Sequence, residues 1–470
     1  MEYVLDKLIE KYREDIVRCT RNLVRIPSVK DTPLPQMPFG RPIGECLDET
    51  LALCRSLGMR TKNCGGYAGW AETGSGEELC GVLVHLDVVP AGDGWTHPPF
   101  GGLMEDGKIY GRGTVDDKGP AAASIFALKA IMESSLTLSS RIRIIFGTDE
   151  ENDWACMDHY KEQEEIPSAG FSPDAEFPVI YAEKGILFAT LTKEGTLPEG
   201  IPYIRSLSGG RRANMVPDEC RAEIVLPEPD AAFVRQLKAA ADSAGEAEIT
   251  VSGSLITVRT AGKTAHGSTP ENGVNAISVM MNVLAPVMTE NSFQKDFLDF
   301  YLSHIGSETD GRSMFGSLSD EPSGKLVLNA GVLTMDTHSA ALKLNIRYPV
   351  TYTGTHIWQR LTKAAADAGL RAVIDLNSEP LYADADSHIV QTLLSVYHSY
   401  CPDGSVPIAV GGGTYARSMP NSVAFGPVFP GKAELAHCPD EYISVEDLIL
   451  SAKIYAGAMY RLAGRKEDVL

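Results

Sequence analysis

The stretch Gly81-Val-Leu-Val-His85-Leu-Asp87-Val-Val-Pro90 is apolar except for one histidine and one aspartate. A run rich in Val and Leu that opens at Gly and closes at Pro is typical of a strand buried on both faces. Because side chains alternate along a strand, His85 and Asp87 are predicted to share one face. Each of two ionisable groups in a buried strand needs a partner or a metal ion. A structural His–Asp hydrogen bond and a functional site explain this pair equally well.

Strand and helix patterns alternate around this stretch. A helical pattern over 121–132 precedes a predicted strand at 141–146, and another helical pattern covers 445–462. This order is typical of a mostly parallel sheet covered by helices. Functional sites in such sheets gather at the carboxyl ends of the strands. We therefore predict an α/β fold in which the acidic loops after the strands form a site.

The pattern changes at about residue 185. Strand-like runs dominate from there, at 186–191, 255–260, 325–333 and 342–348, with helices near 275–288 and 356–368. The alternation of strand and helix returns with a predicted helix at 387–400. The sequence thus predicts a mixed, mostly parallel sheet built by residues 1–184 and 381–470, and an inserted α+β domain of residues 185–380.

Composition and charge exclude several classes of partner. The 42 basic and 62 acidic residues leave a formal net charge of −20 without a long basic block, which disfavours nucleic acid and anionic membranes. The chain starts with charged residues rather than a signal-peptide core, and no window approaches the roughly 18 apolar residues of a membrane span. Nine cysteines without a Cys-x-x-Cys pair fit reduced thiols. A cytoplasmic protein is expected.

Acidic residues and histidines follow predicted strands or occupy loops at five positions, which are His85, Asp116, Glu151, Asp174 and His437. Zinc accepts imidazole nitrogen and carboxylate oxygen at about 2 Å. One carboxylate that bridges two divalent ions ~3.5–4 Å apart would leave each ion one histidine and one private carboxylate. Taken singly, however, acidic residues on loops are usually solvated.

The combination of motifs resembles the dinuclear metallopeptidases that include carnosinase, succinyl-diaminopimelate desuccinylase and acetylornithine deacetylase. Within that family it is most similar to the bacterial Xaa-His dipeptidases of the PepV type. The motifs are His85-x-Asp87, Gly111-Arg-Gly-x-x-Asp-Asp-Lys-Gly119, Glu150-Glu151, Pro173-Asp-Ala-Glu-Phe-Pro178, Glu183-Lys-Gly185, Asn214-Met-Val-Pro217, Asn345-Ile-Arg347-Tyr-Pro349, Gly411-Gly-Gly-Thr-Tyr415 and Glu434-Leu-Ala-His437. They span nearly the whole chain.

The resemblance implies two divalent metal ions and their ligands. One ion would be held by His85, Asp116 and Asp174, and the other by Asp116, Glu151 and His437. Asp116 would therefore bridge the ions, and the peptide bond that follows it is expected to be cis. Zinc is the expected metal, and manganese or cobalt would also serve.

The resemblance also implies the groups that act on the scissile amide. Glu150 is expected to take a proton from a metal-bridging water as this attacks the carbonyl, and then to pass it to the leaving amine. Asp87 is expected to hydrogen-bond the far nitrogen of His85 and fix its tautomer. His266 is expected to donate a hydrogen bond to the oxyanion of the tetrahedral intermediate.

A free substrate carboxylate is expected to bind the planar guanidinium of Arg347, with Asn214 as a helper. Gly413 and Thr414, in the glycine cluster, would present backbone N–H groups at a helix start to the same carboxylate. A plain tight turn explains that cluster almost equally well. Two features depart from the family pattern, the pair Arg211-Arg212 and Cys438.

These inferences predict a monomeric dipeptidase with a catalytic domain of residues 1–184 and 381–470 and a lid of residues 185–380. Its substrates would be dipeptides with a free C-terminal carboxylate. Two alternatives stay open. One is a deacylase or desuccinylase of N-acyl amino acids that uses the same metal ions. The other is a catalytically inactive binding protein, against which the presence of Glu150 and of all five ligands argues.

Overall fold

The structure is a computed structural model that describes residues 2–464, without the side chain of Glu2. Its α-helices are α1 (Glu2–Lys11), α2 (Arg13–Val24), α3 (Arg41–Ser56), α4 (Lys118–Glu133), α5 (Ala155–Gln163), α6 (Ala231–Ala244), α7 (Ala276–Leu284), α8 (Phe293–His304), α9 (Arg312–Phe315), α10 (Gly354–Asp367), α11 (His388–Tyr400) and α12 (Val445–Ala463). Short 3₁₀ helices cover Pro270–Asn272 and Tyr415–Ser418.

The strands are β1 (Arg60–Cys64), β2 (Ala68–Thr73), β3 (Leu79–His85), β4 (Leu103–Glu105), β5 (Lys108–Tyr110), β6 (Arg141–Gly147), β7 (Ala169–Ser172), β8 (Ala175–Glu176), β9 (Ile180–Glu183), β10 (Gly185–Glu194), β11 (Tyr203–Gly209), β12 (Glu219–Val225), β13 (Ala247–Ser252), β14 (Leu255–Ala261), β15 (Ser319–Asp320), β16 (Gly324–Lys325), β17 (Val327–Asp336), β18 (Ser339–Tyr348), β19 (Arg371–Ser378), β20 (Leu381–Tyr382), β21 (Ile408–Val410), β22 (Ser422–Ala424), β23 (Pro427–Val428) and β24 (Tyr442–Ser444).

The chain divides into two compact units. The first runs from the N-terminus to Tyr181 and continues through Tyr382–Ile408 and from Thr414 onward. The second comprises Ala182–Leu381 together with Ala409–Gly413. The sequence predicts the corresponding boundaries after residues 184 and 380.

A mixed sheet forms the centre of the first unit. Its main path runs β1-β2-β6-β3-β7-β22-β9-β20, and β21 pairs with β9. The neighbours β6, β3, β7 and β22 are parallel, whereas β1, β2 and β6 pair antiparallel. Parallel strands lie at the centre because both faces there are covered, and every residue of β3 is buried. The predicted α/β class with a mixed sheet is confirmed.

Helices cover this sheet on both faces. On one face, Leu83 and Ile145 pack in a cluster with Ile43 of α3 and Met157 of α5. Helices α4 and α12 pack against each other and against β3. Because side chains alternate along a strand, the residues next to Leu83 point to the opposite face. This packing explains the continuous apolar pattern of β3.

Strand β3 ends earlier than the sequence predicts. It stops at His85, and Asp87 lies beyond it. Leu86 N still donates to Gly147 O of β6 at 3.0 Å, and the backbone leaves the sheet after it, where Val88 N donates to Ser28 O at 3.0 Å. The expectation that His85 and Asp87 share one face of a strand is therefore wrong.

The second unit is built on an eight-stranded sheet in the order β13-β14-β12-β11-β17-β18-β10-β19. The strands pair antiparallel throughout. Its core combines residues of these strands with residues of α6 to α8 and α10. Strand β10 alternates buried and half-buried residues, as expected for a sheet that packs on one side.

Some elements differ from the sequence-based expectation. The pattern over residues 3–25 predicts one helix, but two helices meet at Tyr12. Helix α8 is absent from the prediction although Phe293, Phe297 and Phe300 have helical spacing and are buried. Within residues 2–464, no helix combines the length and the apolar character needed to cross a membrane.

Candidate metal centre

Acidic and histidine side chains meet at the carboxyl ends of three parallel neighbours in the first unit. His85 is the last residue of β3, Glu150 and Glu151 follow β6, and Asp174 follows β7. The register pairs His85 with Gly147. Because these strands are parallel and adjacent, the loops after them lie at one edge of the sheet.

Asp116 lies between two imidazoles. Its Oδ1 is 2.8 Å from His85 Nε2, and its Oδ2 is 3.1 Å from His437 Nε2. Asp116 lies in the loop before α4. The Asp116–Asp117 peptide bond is cis, which confirms the cis bond expected after Asp116. Each oxygen of one carboxylate thus faces a different histidine, which is the arrangement that a bridging ligand requires.

The remaining predicted ligands lie around these three residues. Glu151 Oε2 is 3.0 Å from His437 Nε2, and Asp174 Oδ1 is 3.8 Å from His85 Nε2. In each of two groups of three residues, the possible ligand atoms lie within 4.8 Å of one another. One group is His85, Glu150 and Asp174, and the other is His85, Asp116 and Glu151. The structure therefore brings together all five predicted ligands and Glu150.

The pKa values in this cluster reflect four carboxylates packed around two imidazoles. Burial opposes protonation of His85, but hydrogen bonds to Asp116 and Asp174 outweigh it and hold the pKa of the imidazole well above its usual value. Hydrogen bonds to Asp116 and Glu151 raise the pKa of His437 to about 11. Both shifts come from the carboxylates that face the imidazoles.

Burial also raises the carboxylate pKa values. It raises the pKa of Glu150 well above the ordinary value, and the charge of Asp174 adds to the effect. Burial and the charge of Asp116 raise the pKa of Glu151 and of Asp174 in the same way. For Asp116 itself burial is outweighed by the two histidines, which lower its pKa.

The donor set fits divalent metal ions. Among residues 2–464, the cationic partners of these carboxylates are the two imidazoles rather than lysine or arginine side chains. Cations bound at such a site supply the positive charge that it lacks and reverse the direction of the pKa shifts. Imidazole nitrogen with carboxylate oxygen suits zinc, and manganese and cobalt accept the same donors.

Asp87 contacts other atoms than the sequence predicts. The far nitrogen of His85, Nδ1, lies 3.0 Å from the backbone carbonyl of Asp87 and 3.6 Å from its carboxylate. The carboxylate instead accepts the backbone N–H groups of Glu150 at 3.1 Å and Glu151 at 3.0 Å. The expected hydrogen bond from His85 Nδ1 to the Asp87 carboxylate is wrong, because the nearer atom is the backbone carbonyl oxygen of Asp87. The chain turns after β3 and directs the carboxylate towards the turn after β6.

The ring of Tyr415 packs against the imidazole of His85. Tyr415 is fully buried, and its ring lies edge-on to the imidazole with the centroids 5.8 Å apart. A Cβ atom on Gly147 would lie 1.7 Å from the Tyr415 hydroxyl, so only glycine fits at this end of β6. Sequence reasoning did not assign Tyr415 a role, although the residue ends the quoted glycine motif.

Comparison with known proteins identifies the family. The model of peptidase family M20/M25/M40 matches residues 81–461. The Bacillus subtilis protein named "Putative dipeptidase YtjP" is 40% identical over 459 residues, which cover 96% of this chain and 98% of that protein. The chain belongs to peptidase family M20/M25/M40.

Solved structures share the fold of this M20/M25/M40 peptidase. Human carnosine dipeptidase 1 has a TM-score of 0.58 at 16% identity and covers 97% of this chain and 98% of its own. Aminoacylhistidine dipeptidase from Vibrio alginolyticus has a TM-score of 0.57 at 13% identity, with 95% and 96% covered. At such identities these likenesses concern the fold.

The second unit of the M20/M25/M40 peptidase carries the remaining predicted residues except Thr414, which belongs to the first unit. His266 is exposed in the loop after β14. Its Nδ1 lies 2.6 Å from the Ser268 hydroxyl and accepts the Ser268 backbone N–H at 3.3 Å. Because a backbone N–H only donates, the proton of the neutral imidazole is assigned to Nε2.

Arg347 lies on β18, buried to all but 5% of its surface. Its Nε donates to Asn345 Oδ1 at 3.1 Å, and its Nη1 donates to Gly411 O at 3.4 Å. Asn345 is fully buried, and its Nδ2 makes no hydrogen bond among the described residues. Sequence reasoning missed Asn345, although it stands two residues before Arg347 and therefore on the same face of the strand.

Asn214 lies next to the loop of His266, whereas the glycine cluster contacts Arg347. The carbonyl of Asn214 accepts the Gly267 N–H at 2.7 Å, which fixes Asn214 next to the His266 loop. Within the cluster, the Gly411 carbonyl accepts a hydrogen bond from Arg347 Nη1. Gly413 is exposed, and Thr414 is buried as the cap of a four-residue 3₁₀ helix rather than of an α-helix.

Proposed function

We propose that this M20/M25/M40 peptidase is a metal-dependent dipeptidase that hydrolyses the amide bond of short peptides with a free C-terminal carboxylate. The observation that carries the proposal is Asp116, whose two oxygens face His85 and His437 while the half-buried Glu150 lies in the same cluster. The name of the Bacillus subtilis relative supports a dipeptide substrate.

The metal ligands in this proposal are His85, Asp116 and Asp174 for one ion, and Asp116, Glu151 and His437 for the other. When bound, such ions polarise a carbonyl and lower the pKa of a water molecule towards neutrality. Zinc is the proposed metal, with manganese or cobalt as alternatives.

Glu150 is the proposed general base. It removes a proton from the attacking water and returns it to the nitrogen of the leaving amine. Asp87 holds the backbone N–H groups of Glu150 and Glu151, so that the base and the adjacent ligand stay in register. His266 donates from Nε2 to the developing oxyanion, since its Nδ1 is occupied by Ser268.

The substrate carboxylate is proposed to bind Arg347. Asn345 holds the guanidinium at Nε, so the planar group keeps one orientation. Asn214, Gly413 and Thr414 are proposed as further contacts of the same carboxylate. In this proposal residues 1–184 and 381–470 form the catalytic domain, and 185–380 form a lid over the substrate.

The test is hydrolysis after metal reconstitution. Metal-free protein receives zinc, manganese or cobalt, and each sample is assayed with a panel of dipeptides, including Xaa-His peptides, and with N-acetyl and N-succinyl amino acids. We expect two ions per chain and turnover of dipeptides. Preference for the N-acyl amino acids would replace the proposal with a deacylase, and a metal-loaded protein without amidase activity would indicate a binding protein.

The oligomeric state is a separate proposal. A monomer predicts a mass near 50.7 kDa in light scattering. A mass of twice that value would contradict it without affecting the proposed chemistry.

A further inference from the structure

A buried carboxylate lies four residues after His437. Glu441 has no exposed surface. Its Oε1 accepts the backbone N–H groups of Val115 at 2.8 Å, Gly113 at 3.1 Å and Asp116 at 3.3 Å. The loop that carries Asp116 is therefore wrapped around the carboxylate of Glu441.

An arginine completes this arrangement. Arg112 is 1% exposed, and its Nη1 lies 2.7 Å from Glu441 Oε2. The same guanidinium donates to the carbonyl of Cys438 at 3.3 Å and, through Nη2, to the carbonyl of Ala91 at 3.4 Å. Arg112 thus ties the residue next to His437 to the loop after β3.

The segment around Glu441 is held on both sides. Asp440 accepts the backbone N–H groups of Thr96 and His97, each at 2.9 Å. After Glu441 the chain continues as β24, which pairs antiparallel with β5. Two adjacent acidic residues therefore attach the end of the His437 loop to two different segments of the first unit.

His437 itself has little support of its own. Its side chain is 53% exposed, its φ is +63°, and it lies outside the regular elements. Its imidazole contacts Asp116 and Glu151. The relative placement of His437 and Asp116 therefore has to come from the contacts that join their loops, and those contacts centre on Glu441 and Arg112.

We infer that the buried Arg112–Glu441 pair is a positioning device for the metal centre, which sets the affinity for the ion that Asp116, Glu151 and His437 would hold. Neither side chain is among the proposed metal ligands or substrate contacts. The inference rests on the proposed function, because it takes these three residues as ligands. Groups behind metal ligands typically change metal affinity 10–100-fold when they are replaced.

Zinc titration of the metal-free protein by calorimetry tests this inference. Wild type is expected to bind two ions. Glu441→Gln is expected to weaken the ion that His437 would hold about 10–100-fold and the other ion less, because Asp116 is proposed to bridge both ions. Excess zinc is expected to restore kcat with KM unchanged. A role in folding alone would instead lower the Tm of the metal-free variant and leave the zinc affinities of the folded protein unchanged. Glu446→Gln is the matched control, because this exposed glutamate also pairs with an arginine, Arg13.

Two further variants keep the result decisive. Arg112→Lys retains the charge but loses the fork that reaches three acceptors, so it should weaken the same ion if Glu441→Gln does not fold. In a His437→Ala background, Glu441→Gln should cause a smaller loss of zinc affinity than it causes in wild type. Unchanged binding of both ions, or equal weakening of both, would overturn the inference. Fewer than two ions in wild type would instead contradict the proposed function.

Discussion

Glu150 and Glu151 are chain neighbours with different surroundings. Glu151 Oε2 lies 3.0 Å from His437 Nε2. A carboxylate oxygen of Glu150 instead lies within 4.8 Å of ligand atoms of His85 and Asp174. Burial raises the pKa of Glu150 well above its ordinary value, so this carboxyl group binds a proton readily. Bound cations would lower that pKa, because they stabilise the carboxylate form.

Glu150→Gln removes the proposed base while keeping the shape of the side chain. We expect kcat to fall by about 10²–10⁴-fold, because that is the usual contribution of a general base. Metal content, measured by elemental analysis, should stay at two ions. Glu151→Gln is the comparison variant and should lose metal. If Glu150→Gln loses metal while Glu151→Gln keeps it, the two roles are reversed.

Arg347→Lys keeps a positive charge but lacks the planar fork. We expect KM for a dipeptide to rise about 10-fold or more with a smaller effect on kcat, since lysine cannot bind a carboxylate through two parallel hydrogen bonds. A peptide with a C-terminal amide has no carboxylate, so wild type and variant should process it equally poorly. A loss of the same size on both substrates would mean that Arg347 does not bind the carboxylate.

At the level of elements, backbone hydrogen bonds and a helix cap fix the loop that contains His266 in the second unit. Lys263 and Val274 exchange backbone hydrogen bonds of 2.9 Å, which closes the loop that contains His266. Asn275 follows at once and caps α7, accepting the N–H of Ile277 at 2.9 Å and of Ser278 at 3.3 Å. The loop therefore ends on a fixed point of the fold.

Asn275→Ala should lower the free energy of unfolding by about 1–2 kcal/mol through loss of the cap. It should cost more than Asp230→Ala at the exposed cap of α6, because Asn275 Nδ2 also donates to Ala330 O at 2.9 Å. Urea denaturation of both variants measures the difference. Equal costs would show that the bond to Ala330 contributes nothing.

At the scale of the whole molecule, negative charge dominates. The chain carries a net charge of −20, and four half-buried carboxylates lie close together at one edge of the central sheet. Bound cations offset that repulsion and bind the folded chain in preference to the unfolded one. Metal binding and folding stability should therefore be linked.

Removal of metal with a chelator should abolish dipeptide hydrolysis and lower the Tm. Each ion present at 100 times its Kd contributes about 2.7 kcal/mol to stability by mass action. Calorimetry before and after chelation measures the shift, and restored zinc should reverse both effects. A Tm that chelation leaves unchanged would show that the ions do not stabilise the fold.

Local patterns identified much of the architecture. The apolar run at β3, the acidic loops after strands and the change of pattern at residue 185 led to the α/β class, which is confirmed. The quoted motifs led to the family and to the cis bond at Asp116, and both are confirmed. The role of the Asp87 carboxylate was mispredicted, because the direction of a side chain after a strand depends on where the backbone leaves the sheet.

The amino-acid pattern determines where strands, helices and loops form and which residue types occupy the strand ends, because backbone preference and side-chain spacing act over a few neighbouring residues. It does not determine which distant loops meet. His437 reaches Asp116, and Glu441 accepts the Gly113 N–H from 328 residues away in sequence, only after the elements have packed. Those contacts depend on tertiary hydrogen bonds and buried charge, which no local pattern encodes.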